Sequence, residues 1–137
     1  MLIKNYKAYR DYKILAEKEA GVVLKGPEVK SLRAGQANLD GALIHFKDKE
    51  IFLVGAYIAP YPAAQEPLDP RRNRRLLLNK KESLSWYNKM KQGKLTILPL
   101  EWYNKDNLIK LKIGLGRKKK VKGKRPIDSQ SREFRQG

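Results

Sequence analysis

Four arginines in five residues, Arg71, Arg72, Arg74 and Arg75, close a loop braced by Pro60, Pro62, Pro67 and Pro70. A guanidinium is a planar fork of donors that matches a phosphate edge and stacks on a base. The cluster therefore suits RNA contact, although a solvated loop would carry the same charges. Arg117–Arg125 adds seven Lys or Arg in nine residues. Before that tract the chain holds 22 Lys and Arg against 12 Asp and Glu. A basic tail made for solubility would leave a near-neutral body, and this body is cationic too. Both layers imply a large polyanion, RNA first.

Smaller groups qualify that reading. Lys30 and Arg33 lie three apart and share a face of one helix pattern, with Val29 and Leu32 inward. Alone they read as surface charges; on a cationic body they read equally as phosphate ligands. Tyr6, Tyr9 and Tyr12 recur every three residues, which suits core packing or, as an alternative, stacking on bases. Glu19 reads as a turn carboxylate that is able to accept from base donors. The one histidine, His45, stands in a strand pattern with no clustered partners for a metal. Phosphate-binding loops, zinc-protease helices and nucleophile elbows are absent from the sequence, so neither catalysis nor a cofactor is expected.

The elements that position these residues follow from periodicity. Ile109, Leu111, Ile113 and Leu115 alternate with polar or small residues, as do Leu98, Leu100 and Trp102. Asn104–Asn107 between them is turn chemistry, and Pro99 must face an edge or a bulge. A second hairpin spans Ala42–Ile58, with Phe52, Val54, Ala56 and Ile58 sharing one face around a turn at Lys47–Glu50. Tyr12–Leu24 is a strand region with a bend near Glu19–Gly21. Helices are expected at Pro27–Ala34, with Gly35 past its end, and at Lys80–Gln92, capped by Asn79 and stopped by Gly93. About six strands without βαβ alternation predict an OB-fold-like antiparallel barrel, mainly β, with two or three short peripheral helices. The expected barrel covers residues 1–116. Residues 117–137 form a basic C-terminal tail, expected to be disordered when free. The absence of cysteine, signal-peptide pattern and ~20-residue apolar run fits a soluble, monomeric, cytoplasmic protein that avoids membranes.

Longer stretches carry a resemblance. Glu28-Val-Lys-Ser-Leu-Arg-Ala-Gly35 with Ala37-Asn38-Leu39 resembles a signature of the SmpB family, bacterial proteins that bind tmRNA. Ile58-Ala59-Pro60, Asp69-Pro70 through Asn79-Lys80 with Glu82, and Lys112–Leu115 leading into lysines follow in the same order, covering about Asn5 to Arg125. The resemblance implies an OB-type barrel that binds the tRNA-like domain of tmRNA and delivers it to stalled ribosomes. It assigns Glu19, Leu77 and Asn79 to the tmRNA-binding surface. Joined with the basic residues above, the expected RNA-binding set is Tyr12, Glu19, Lys30, Arg33, Arg72, Arg74, Arg75, Leu77, Asn79, Lys118 and Lys119. Arg10, Lys120, Lys122, Lys124 and Arg125 are expected to face the ribosome, at the small-subunit decoding centre and mRNA channel. The family pattern has histidine where Arg10 stands, glycine where Lys118 stands, and aspartate where Gly123 stands, and its tails run longer. A ribosomal or assembly protein with a basic extension is the rival reading of the composition.

Overall fold

The computed structural model describes residues 2–65 and 68–120. Two tight turns set its sheet. Asp48 and Lys49 both have positive φ (50° and 68°), as do Asp106 and Asn107 (52° and 63°). That backbone matches strand twist across two-residue loops. The first turn joins β4 (Leu43–Lys47) to β5 (Glu50–Val54), and the second joins β8 (Thr96–Lys105) to β9 (Leu108–Lys118). The remaining strands are β1 (Leu2–Lys4), β2 (Tyr12–Val22), β3 (Ala37–Asn38), β6 (Tyr57–Ile58) and β7 (Arg74–Leu77). Three short helices join them: α1 (Tyr6–Asp11), α2 (Gly26–Arg33) and α3 (Lys80–Gly93).

The antiparallel, mainly β class with short helices stands. Seven strands run in the order β1-β8-β9-β2-β7-β5-β4, and β3 pairs with β6 apart from them. The sheet curls until β4 packs against β8. Among the described residues, however, no ladder joins its ends, so the six-stranded barrel gives way to an open seven-stranded curl. The reason is local: β1 pairs with the free edge of β8, Leu2 opposite Tyr103 and Lys4 opposite Glu101.

Three details differ from the sequence reading. Gly55 has φ +78° and resets the alternation, so the core face of β5 is Ile51 and Leu53 rather than Phe52 and Val54. The bulge of β2 falls between Ile14 and Ala16. At Gly21 the strand instead changes partners, from β9 to β7. Lys94, not Gly93, takes the left-handed position that ends α3. Pro99 does sit at a bulge, between its pairing with Ile113 and that of Glu101 with Lys112. No helix among the described residues is long and apolar enough to cross a membrane.

Trp102, Leu111, Ile113, Leu53 and Leu32 are fully buried in the curl. Gly114 permits the tightest approach: a Cβ there would lie 2.5 Å from Cδ1 of Leu100, itself wholly buried. Gly114→Ala is expected to cost about 1–3 kcal/mol through overpacking. Urea unfolding should show a lower midpoint at unchanged slope.

Candidate nucleic-acid interface

The arginine cluster divides by strand parity. Along β7, Arg74 and Leu76 point inward while Arg75 and Leu77 point outward. Arg74 is completely buried and donates to Glu28 Oε2 at 2.9 Å, the Ala56 carbonyl at 2.6 Å and the Pro70 carbonyl at 3.1 Å. The expectation that it meets RNA is thereby corrected, since its guanidinium is spent inside the fold. Arg72 donates to both oxygens of the same carboxylate, at 2.9 and 2.6 Å, and is partly exposed. Burial raises the Glu28 pKa, but hydrogen bonds from Arg72, the Lys25 N–H and Arg74 outweigh it and hold the carboxyl below its ordinary range. Arg75 keeps an exposed side chain, paired at 2.7 Å with Glu50. Arg71 binds the Gly55 carbonyl and lies over Tyr57.

Glu19 and Leu77 share the outer face. Gly21 stands opposite Leu77, and residues two apart on a strand point the same way. Leu77 is half exposed. With Arg75, Asn79, Lys80, Leu84 and Tyr87 it lines a groove of about 1130 Å³ between the β4–β5 turn and the start of α3. The Asn79 side chain accepts from the Lys81 N–H at 2.8 Å, the N-cap expected from the sequence. Asn79→Ala should cost about 1 kcal/mol of stability from the cap alone, read as a lower thermal midpoint without RNA.

A second basic patch forms at the far end of β2. Tyr12 pairs with Lys118, the Lys119 N–H donates to the Asp11 carbonyl, and the Arg10 guanidinium holds the Asp11 carboxylate at 2.8 Å. Arg10, Lys118 and Lys119 are thus brought together with Tyr12, and Lys120 follows directly in the chain. Seven residues of strand separate Tyr12 from Glu19, about 23 Å. β9 runs to Lys118, two residues beyond the expected barrel limit at 116. Tyr12 and Tyr9 pack on the small cluster of Ala8, Leu98 and Leu100, whereas Tyr6 is exposed. Lys122, Lys124, Arg125 and the expected disorder of the tail lie outside the described residues.

The pair on α2 diverges. Lys30 lies 5.1 Å from the Tyr61 ring centroid, and Arg33 reaches the Asn107 carbonyl at the β8–β9 turn. His45 is exposed on β4 opposite Phe52. Among the described residues no three His, Cys, Asp or Glu gather as metal ligands.

Sequence reasoning missed the polar lattice on the outer face. The Tyr103 hydroxyl donates to Glu19 at 2.7 Å, the Tyr9 hydroxyl donates to Glu101 at 2.6 Å, and Lys112 lies 3.7 Å from Glu17 and 3.9 Å from Glu101. Burial, then the hydrogen bond to Glu19, pushes the Tyr103 phenol well up. The bond from Tyr103 pulls the Glu19 carboxyl down, against slight burial and with help from Lys105. The parity of β2 and β8 in the sequence signals the shared face; the cross-strand partners are not signalled.

Known proteins are similar to this chain in sequence and fold. An "SsrA-binding protein" from Sulfurihydrogenibium sp. (strain YO3AOP1) is 49% identical over 116 residues, covering 84% of this chain and 76% of the relative. One from Thermus thermophilus is 43% identical over 129 residues, covering 93% and 90%. A solved chain described as "tmRNA-SmpB: a journey to the center of the bacterial ribosome" superposes with TM-score 0.73 at 44% identity, covering 93% of this chain and 90% of that one. The family model described as SmpB protein matches residues 2–136. With its sequence and its curled sheet both matched over nearly their full length, the chain belongs to the SmpB family.

Proposed function

We propose that this chain binds the tRNA-like domain of tmRNA (SsrA RNA) and delivers it to stalled ribosomes for trans-translation and ribosome rescue. The observation that carries this reading is its similarity, across nine-tenths of both chains, to an SsrA-binding protein and to a tmRNA-associated SmpB. It acts by binding rather than by catalysis, in the cytoplasm where ribosomes work, as a monomer and without a cofactor. Two surfaces divide the labour. The Glu19, Leu77 and Asn79 face, with Arg75 beside it, takes the folded RNA; Lys30 and Arg33 extend the phosphate contacts. The patch of Arg10, Tyr12 and Lys118–Lys120 leads into the tail residues Lys122, Lys124 and Arg125, which face the decoding centre and mRNA channel.

Titration of a tRNA-like-domain transcript against salt tests the first surface. With about five phosphates neutralised, log K should fall against log salt with a slope near −4. Arg75→Ala should make that slope shallower by about 1 without unfolding the protein. A flat salt response, or equal affinity for an arbitrary duplex, would sink the reading.

A further inference from the structure

The outer face presents a carboxylate where phosphate must approach, on a chain with 31 Lys and Arg. A negative group there repels the RNA backbone and rewards only a donor, so it acts as a selector rather than as glue. How that carboxylate is aimed then matters. Tyr103 Oη donates to Glu19 Oε1 at 2.7 Å, and Lys105 Nζ lies 3.3 Å from the same oxygen. Both come from β8, whereas Glu19 is on β2, with β9 between them. The two side chains therefore reach across a whole strand, about 9.6 Å at the usual spacing. Lys112 is the cation directly opposite Glu19 on β9. It is drawn away to Glu17 and Glu101 and lies 5.9 Å from the Tyr103 ring centroid. Both contacts fall on Oε1, and the Glu19 side chain is 35% exposed.

The neighbouring surface is small and apolar. Gly21 follows Glu19 on the same face, about 6.6 Å along the strand, and has no side chain. A Cβ at Gly21 would stand only 3.3 Å from Cβ of Leu77. The Leu77 side chain therefore covers Gly21 and, half exposed, offers an apolar face beside the Glu19 carboxylate on which a base could rest.

We propose that Tyr103 and Lys105 are positioning residues that lock Glu19 by its Oε1, so that Oε2 is offered to one N–H or O–H donor of RNA, an exocyclic amine or a 2′-hydroxyl. The proposal rests on the reading of the Glu19 face as RNA-binding. Because the phenol titrates well above neutrality, the lock holds throughout the physiological pH range.

Affinities of the full chain for the tRNA-like-domain transcript test it, with thermal melting to verify each fold. Glu19→Gln is expected to bind about tenfold more weakly, the lower end of what a hydrogen bond to a charged group carries, and Tyr103→Phe, which loses only the aim of that bond, about fivefold more weakly. The double variant should bind no worse than Glu19→Gln alone, because Tyr103 acts only through Glu19. Lys105→Met should weaken binding about twofold at low salt and by less at high salt. If Glu19→Gln weakens binding while Tyr103→Phe binds as the unaltered chain does, the lock is wrong and the RNA-binding face survives. Additive losses in the double variant would equally overturn the lock. If Glu19→Gln itself binds normally while the salt slope stays steep, both the lock and Glu19's contact with RNA are wrong, though the chain still binds RNA.

Discussion

A Glu28→Ala chain is expected to lose about 3–5 kcal/mol of stability, because the substitution strands a buried cation. Glu28 is 3% exposed and Arg74 not at all. Removing the carboxylate leaves Arg74 with two backbone carbonyls and only the more distant charge of Asp69. It also frees the Lys25 N–H that Glu28 Oε1 accepts at the start of α2. For a domain of this size the loss corresponds to about 10–15 °C in the thermal midpoint. A Glu28→Ala, Arg74→Met double variant should recover part of it, since an apolar pair of similar volume is often as stable as a buried ion pair. The carboxyl is held below its unfolded value. Its contribution is therefore complete above an unfolded pKa of about 4.3, and it is lost as pH falls through the folded value. Acid melting should start at higher pH in chains whose Glu28 pairing is weakened, for example Arg72→Met. Equal midpoints for Glu28→Ala and the unaltered chain would refute the network.

The same residues show what a sequence hides. Turns and caps were legible because they are local: Asn104–Asn107, Asn79 and Gly35 act through backbone conformation within a few residues. Alternation in β9 was legible because Lys110, Lys112 and Gly114 separate its buried apolar residues. Arg74 was not, because a run of like charges reads as solvated whichever way each side chain turns. The signal was nevertheless there. In Arg74-Arg75-Leu76-Leu77 the period-two partner of Arg74 is Leu76, which is buried. Short strands such as β1 and β3 carry too few residues for any period to appear. The open end of the sheet was equally hidden, since nothing in Leu2–Lys4 says that it pairs with a strand a hundred residues on. Of the candidate site, identities were readable and geometry was not: Glu19 and Leu77 could be named, but Gly21 opposite Leu77 and Tyr103 beside Glu19 are products of register.

Deleting residues 121–137 is expected to leave affinity for the tRNA-like domain within about threefold while reducing peptide tagging on stalled ribosomes to background. The position of the cut follows from the ladder. Gly116, Arg117 and Lys118 pair with Ile14, Lys13 and Tyr12, and the Lys119 N–H closes on Asp11. Truncation at 116 would strip that edge from β2 and unsettle Arg10 and Tyr12, confusing loss of fold with loss of function. A cut after Lys120 spares every one of these bonds and removes Lys122, Lys124 and Arg125. The surviving Glu19 face lies at the other end of β2, about 23 Å from Tyr12. RNA held there gains little from charges beyond Lys120 except through long-range attraction, which salt screens within ~8 Å at physiological ionic strength. Filter binding of the transcript and a reconstituted translation assay on a message lacking a stop codon read the two activities separately. A parallel fall in both would mean that the tail grips the same RNA as the sheet, and the two surfaces would have to be treated as one.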